Sequence, residues 1–230
     1  MKDLKYNLIF RRVAAIFLIV GSAAVLVFRG LHGDLPAGDA HAAMQFIVSH
    51  PFYKGVHLGA VVGVMLSVIG FVAFSFTLTD KYAATVSWLA TAIMLVGAAV
   101  HIVEHTIDGH AGQTLAGLWH ASSHAEQANI EHSAGTVFVA LHGPALVSVS
   151  MLWGFSVLLF ARAAKLENYP SWFYWSGLAA GSITFISALS QYLHPDLIPG
   201  FLIFGMLVFL VQLWTILLGF ILLRQGKLDS

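Results

Sequence analysis

This sequence predicts an all-α, polytopic integral membrane protein: a six-transmembrane-helix bundle with a short amphipathic helix in an outer loop. Three observations carry that expectation. Apolar residues make up 58% of the 230-residue chain and charged ones only 10%, with a mean hydropathy of +0.82, a balance found in membrane proteins rather than in soluble cores. Six apolar runs are long enough to cross a hydrocarbon layer of about 30 Å. Irregular backbone facing lipid leaves unpaired polar groups at high cost, so these runs are expected to be helices.

In chain order the spans are expected at about 13–28, 56–78, 83–104, 133–160, 172–190 and 200–223, all within one transmembrane domain covering residues 1–230. The first run has "AHA" at 40–42 beyond it, a motif that resembles a signal-peptidase site. It lies too far past the apolar stretch for that use, so the helix is expected to be retained. Two longer connections remain, about 29–55 and 106–132. The second contains "LWHASSHAEQANIEH", which reads as a short amphipathic helix lying on the bundle or at the membrane interface.

Orientation follows from the cations. Lys2, Lys5, Arg11 and Arg12 precede the first span, and Lys81 joins the second to the third. Arg162 and Lys165 join the fourth to the fifth, and Arg224 and Lys227 follow the sixth. These nine fall on one side of a six-span chain and only Arg29 and Lys54 on the other. Both termini are therefore expected in the cytoplasm, in a cell inner (plasma) membrane, with the longer loops on the periplasmic or outer side. Formal net charge is zero, so nothing points to nucleic acid. There is no Cys, which rules out disulfides, thiolate-ligated haem, Cys-ligated iron–sulfur clusters and CxxCH haem attachment.

Histidine is the unusual residue, with twelve copies against eleven Lys and Arg. With the orientation above, all twelve lie on the outer side or in the outer part of a span. Counted from the inner helix ends, His57 is 23 residues from Asp80, while His101 and His105 are 20 and 24 from Lys81. His142 is 20 from Arg162 and His194 is 24 from Pro170. At 1.5 Å per residue these heights agree within about 6 Å, one helical turn. Four helices are thus expected to bring His57, His101, His105, His142 and His194 into one layer near the outer surface.

The spacing also speaks to chemistry. His101 and His105 are four apart and share a helical face, with Glu104 and Asp108 beside them. His120 and His124 repeat the i, i+4 spacing in the outer loop and are expected to form a second site or a lid. Neutral imidazole is the commonest metal ligand and carboxylate a common companion. The set fits a transition metal (copper or iron, with zinc less favoured) or a b-type haem clamped between two imidazoles. His57, His101, His105 and His142 are the expected cofactor ligands, with His194 as a further candidate metal ligand and Glu104 as a further ligand or proton relay. "HIVEH" shares letters with HExxH but not its geometry, because Glu104 directly precedes the second His. His32, His41 and His50 are expected to be solvated residues at helix ends.

The resulting expectation is a membrane redox protein or oxidoreductase that passes electrons or acts on a small or lipidic substrate, with quinone in the lipid bilayer or another membrane subunit as electron partner. A metal-ion or proton transporter is the alternative, weakened by the sparse ionisable groups in the inner half of the spans. A non-catalytic subunit of a larger membrane complex is a third reading. Clustered His as a pH sensor ranks last, since chelation accounts better for the i, i+4 spacing.

Overall fold

The computed structural model describes residues 2–194 and 200–228, which include every candidate ligand named above. Among the described residues there are helices and turns and no strand. The helices are α1 (Lys2–His32), α2 (Ala40–Ser49), α3 (Tyr53–Ser75), α4 (Lys81–Thr106), α5 (Gln113–Ala121), α6 (His124–Ala140), α7 (Leu146–Leu166), α8 (Ser171–Leu193) and α9 (Gly200–Leu228). A wide π-helical turn at Ile107–Gly112 joins α4 to α5, and a second at Leu141–Ala145 joins α6 to α7.

Five stretches are long and apolar enough to cross a membrane: Asn7–His32, Tyr53–Ser75, Lys81–Ala121, His124–Leu166 and Phe204–Gln225. The α8 helix has the length but not the apolarity, because serines, Thr184 and Gln191 interrupt it. The surface agrees with this composition. Leu58, Val62, Met65 and Ile69 form an exposed apolar stripe along α3 at helical spacing, while Ser67 and Ser75 on the same helix are buried. A soluble helix shows the reverse arrangement.

The six long helices pack in a ring. α1 packs on α3 and α9, α4 on α3 and α7, and α8 on α7 and α9. Where apolar surface meets lipid or protein equally well, close packing rather than water exclusion holds helices together. Glycines make the tightest crossings. A Cβ at Gly154 of α7 would lie 2.6 Å from the Phe185 amide nitrogen of α8, and one at Gly181 would lie 2.8 Å from the Gly154 carbonyl oxygen. Phe71, Phe74, Phe160, Phe173 and Trp214 fill the half of the bundle away from the site, with Phe173 stacked on Trp214 at 4.8 Å between centroids.

Both ends are fixed by polar contacts. At one end Asp80 caps α4 by accepting from the Tyr82 and Ala83 amides at 2.8 Å. The Glu167 carboxylate there accepts from the Thr79 amide and hydroxyl and from the Asp80 amide, which ties the α3–α4 turn to the end of α7. At the other end α2, α5 and α6 form a cap with its own small core, including Met44, Ile47, Tyr53, Trp119 and Phe138. His41 and Trp119 both bond Glu131, at 2.8 and 2.7 Å, and hold the cap together.

Three expectations need correcting. The first apolar run ends at Phe28, but α1 continues one turn further to His32. Gly33, at φ +68°, ends it in the left-handed conformation glycine favours at this position, and Arg29 donates to the Gly33 carbonyl at 3.0 Å. The stretch 106–132 is helical along nearly all its length rather than a loop carrying one short helix. His120 and His124 do not share a helical face, because Ser122 and Ser123 are extended between α5 and α6. Ser123 and Glu126 form a capping box that starts α6 there.

Candidate metal centre

The ring brings the ends of α1, α3 and α4 and the two π turns to one place beneath the cap. The π turns are where the helical ladder widens by a residue, a feature often found at functional positions. Asp108 lies in the first and His142 in the second. Pro144 has no amide hydrogen to give the α-helical ladder, which accounts locally for the second. Gly109 allows the first to sit against α3: a Cβ there would fall 2.5 Å from the His57 Cβ.

Seven imidazole and carboxylate side chains line one cavity: His32, His57, His101, Glu104, His105, Asp108 and His142. It measures about 30 Å³, room for a water molecule or two. Five of the seven are buried, with exposures of 2% for His57 and Asp108, 3% for His101 and Glu104, and 8% for His32. Val25, Ala60, Leu146, Phe204 and Val208 form part of its apolar wall.

The groups fall into two sets. In the first, the ligand atoms of His32, His57 and Asp108 all lie within 4.8 Å of one another, and His142 approaches the same carboxylate. His57 Nε2 is 3.1 Å from Asp108 Oδ2, His142 Nε2 is 3.3 Å from it, and His32 Nε2 is 3.2 Å from His57 Nε2. The second set is His101, Glu104 and His105, again within 4.8 Å. His101 Nδ1 lies 3.6 Å from Glu104 Oε2, and His105 Nδ1 contacts the same oxygen. The sets abut, with the His57 and His105 rings 5.3 Å apart.

Outer contacts fix how these rings are presented. His57 Nδ1 donates to the Tyr53 carbonyl at 2.8 Å, and His32 Nδ1 donates to the Gly33 carbonyl at 2.9 Å. A carbonyl only accepts, so both Nδ1 atoms carry hydrogen and both rings turn Nε2 toward each other and toward Asp108. Two such nitrogens facing at 3.2 Å are held together by a proton or by a metal ion between them. Tyr53 donates its hydroxyl to Asp108 Oδ1 at 2.8 Å, which leaves Oδ2 toward the three imidazoles. Backbone and phenol partners of this kind orient metal ligands.

Four residues expected as cofactor ligands, His57, His101, His105 and His142, therefore meet at one cavity, with Glu104 among them. His120, His124 and His194 are exposed and lie away from its lining. His194 follows the last turn of α8, beyond the point where that helix is packed. His32, expected to be solvated, is instead part of the first set. The signal for it is Gly33, whose capping role keeps His32 inside the helix. In the sequence Asp108 is only a neighbour of the His pair, yet it is the carboxylate to which three imidazoles point. His50 stacks on Phe46 and bonds its carbonyl, an end-of-helix role. No family model matches this chain, and neither a curated protein nor a solved structure shows significant similarity to it. Fold and site together define a class: a helical protein with membrane-span-like helices and a buried His–carboxylate cluster.

Proposed function

We propose that the protein is a multi-pass membrane metalloprotein whose redox-active transition-metal centre lies near the outer surface of a cell inner membrane. One observation carries the reading: the inward-facing Nε2 atoms of His32 and His57 at 3.2 Å, beside the Asp108 carboxylate. A tetrahedral shell with metal–ligand bonds of about 2.0 Å has edges of about 3.3 Å. The His57–Asp108, His32–His57 and His142–Asp108 separations of 3.1, 3.2 and 3.3 Å match those edges, while His32–Asp108 is longer at 3.9 Å. Imidazole and carboxylate suit copper, iron or zinc.

The same distances weigh against haem. Two imidazoles on a haem iron hold their nitrogens about 4 Å apart with the porphyrin plane between them. Here the two rings meet edge-on, at 69° and 4.7 Å between centroids. The redox assignment is supported by two oxidisable rings at the cluster, Tyr53 on Asp108 and Trp153 at 5.1 Å from His101. The apolar cavity wall suits an electron partner from the bilayer, such as a quinone, or an apolar face of another subunit.

In this reading α8 is the sixth span, with Thr184 buried in the bundle and Ser187, Ser190 and Gln191 half-buried. The nine cations of the α8-including topology support cytoplasmic termini, and the cap formed by α2, α5 and α6 covers the centre from outside. A second reading has its own observation: a proton can occupy the 3.1 Å His57–Asp108 contact as an imidazolium–carboxylate pair, which fits a proton-linked transporter. Elemental analysis of detergent-purified protein, with oxidised and reduced optical spectra, separates the two. Bound copper or iron lost in His57→Ala is the expected result, whereas zinc alone keeps the metalloprotein reading and overturns the redox assignment. Metal-free protein that cannot be reconstituted overturns the metalloprotein reading and leaves the proton-linked one.

A further inference from the structure

The geometry points to a second metal ion beside the first, held by His101, Glu104 and His105. This inference rests on the metalloprotein reading and deepens it from one ion to a two-ion centre. Ligand number is the first argument. Seven imidazole and carboxylate groups line the cavity, whereas N/O shells of first-row transition metals take about four to six ligands. The first set draws on His32, His57 and Asp108, with His142 against the same carboxylate, and so takes up four of the seven. His101, Glu104 and His105 are left over, and they converge on a point of their own.

Their geometry is that of a helical chelate. Residues i, i+3 and i+4 lie on one face of α4, and both Nδ1 atoms of the pair point at Glu104 Oε2. His101 Nδ1 supplies an independent observation: it is buried and makes no hydrogen bond. A buried imidazole nitrogen whose nearest carboxylate is too far for a hydrogen bond costs free energy unless something binds between them. Gly97, one turn back on α4, is filled by Trp153, whose indole carbon would lie 2.9 Å from a Cβ there. That packing holds the His101 face of α4 toward the cavity.

The two positions are neighbours. The His57 and His105 rings, one from each set, are 5.3 Å apart, which suits ions separated by the roughly 3.5–4 Å found in two-metal sites. The ions this chemistry selects are first-row transition metals with N/O preference, because there is no thiolate in the chain. Two ions side by side can share one small substrate or exchange two electrons with it, which a lone ion in this pocket does less readily.

The test uses detergent-purified full-length protein, stripped with chelator and titrated with Co(II), followed by d–d absorption and EPR. Two tight equivalents are expected, with the EPR signal of the first altered by the second because neighbouring paramagnetic ions couple. Glu104→Gln and His101→Gln should each retain one equivalent with an uncoupled spectrum and an unchanged elution profile. A His120→Ala/His124→Ala variant should still bind two, which separates the inner site from exposed surface imidazoles. One equivalent in the wild type overturns the second ion and leaves the metalloprotein reading intact. Two uncoupled equivalents, the second lost with His120 and His124, also overturn it. No tight equivalent overturns both readings.

Discussion

Tyr53 does three things within one side chain and its backbone. Its ring belongs to the small core of the cap, its hydroxyl donates to Asp108, and its carbonyl accepts from His57. Removing the hydroxyl in Tyr53→Phe leaves packing and the His57 contact in place and frees only the carboxylate. Asp108 Oδ1 then loses a partner while 2% exposed, so the carboxylate can turn away from the imidazoles. Loss of such an outer partner typically weakens metal binding by about 10–100-fold. Competition with a chromophoric chelator should show a fall in that range for Tyr53→Phe at unchanged stoichiometry. Unaltered affinity would mean that Asp108 is held by the imidazoles alone. Residue chemistry of this kind is only half legible in the sequence. The spacing of His101, Glu104 and His105 marks a shared face in any helix. The roles of Asp108 and His32 depend instead on two backbone features, a wide turn and a left-handed cap.

At the scale of elements, the two π turns decide which side chains face the cavity. From sequence the third span ends near 104, short of the first turn at 107–112, and the fourth runs unbroken through the second at 141–145. A run of letters does not announce a widened turn, although Pro144 marks a disturbance of the ladder. The first turn also has a steric requirement. Gly109 lies against the His57 side chain, where an added methyl would be 2.5 Å from Cβ and 2.8 Å from Cγ. Gly112, in the same turn, has its nearest neighbour at 3.5 Å, an ordinary contact. Gly109→Ala should therefore push His57 off its position and lower metal affinity by about tenfold or more, the scale of losing an orienting contact, whereas Gly112→Ala should retain it. Metal content by elemental analysis, with helicity by circular dichroism, checks the pair. Equal metal content in both would show that the turn has slack enough to absorb the methyl. The long helices are legible because lipid-like composition over about twenty residues leaves little choice of conformation. The cap is not, because α2, at ten residues, is too short to register as a span and the first half of α6 is largely polar.

At the scale of the whole molecule, the candidate centre occupies one end of the bundle and the Asp80–Glu167 contacts the other. The distribution of Lys and Arg predicts which end faces the cytoplasm. A chain without cysteine allows a direct check, since each introduced thiol is the only one present. Gly38, beside the cap, and Lys165, at the opposite end, are both exposed. In intact cells a membrane-impermeant maleimide should label Gly38→Cys and leave Lys165→Cys unlabelled until the membrane is opened. The reverse pattern would place the centre on the cytoplasmic side.

The order of helices around the ring has a consequence for how such a molecule comes into being. The α3, α4, α7 and α8 helices succeed one another around it, and α9 closes the ring against α1 and α8. All seven cavity-lining imidazoles and carboxylates fall between His32 and His142, so every one has been synthesised before α8 and α9 exist. The later helices contribute Phe204 and Val208 to the wall and no ligand among the described residues. The nascent chain can thus gather its ligands while that side is still open, and α9 arrives afterward as the door that shuts.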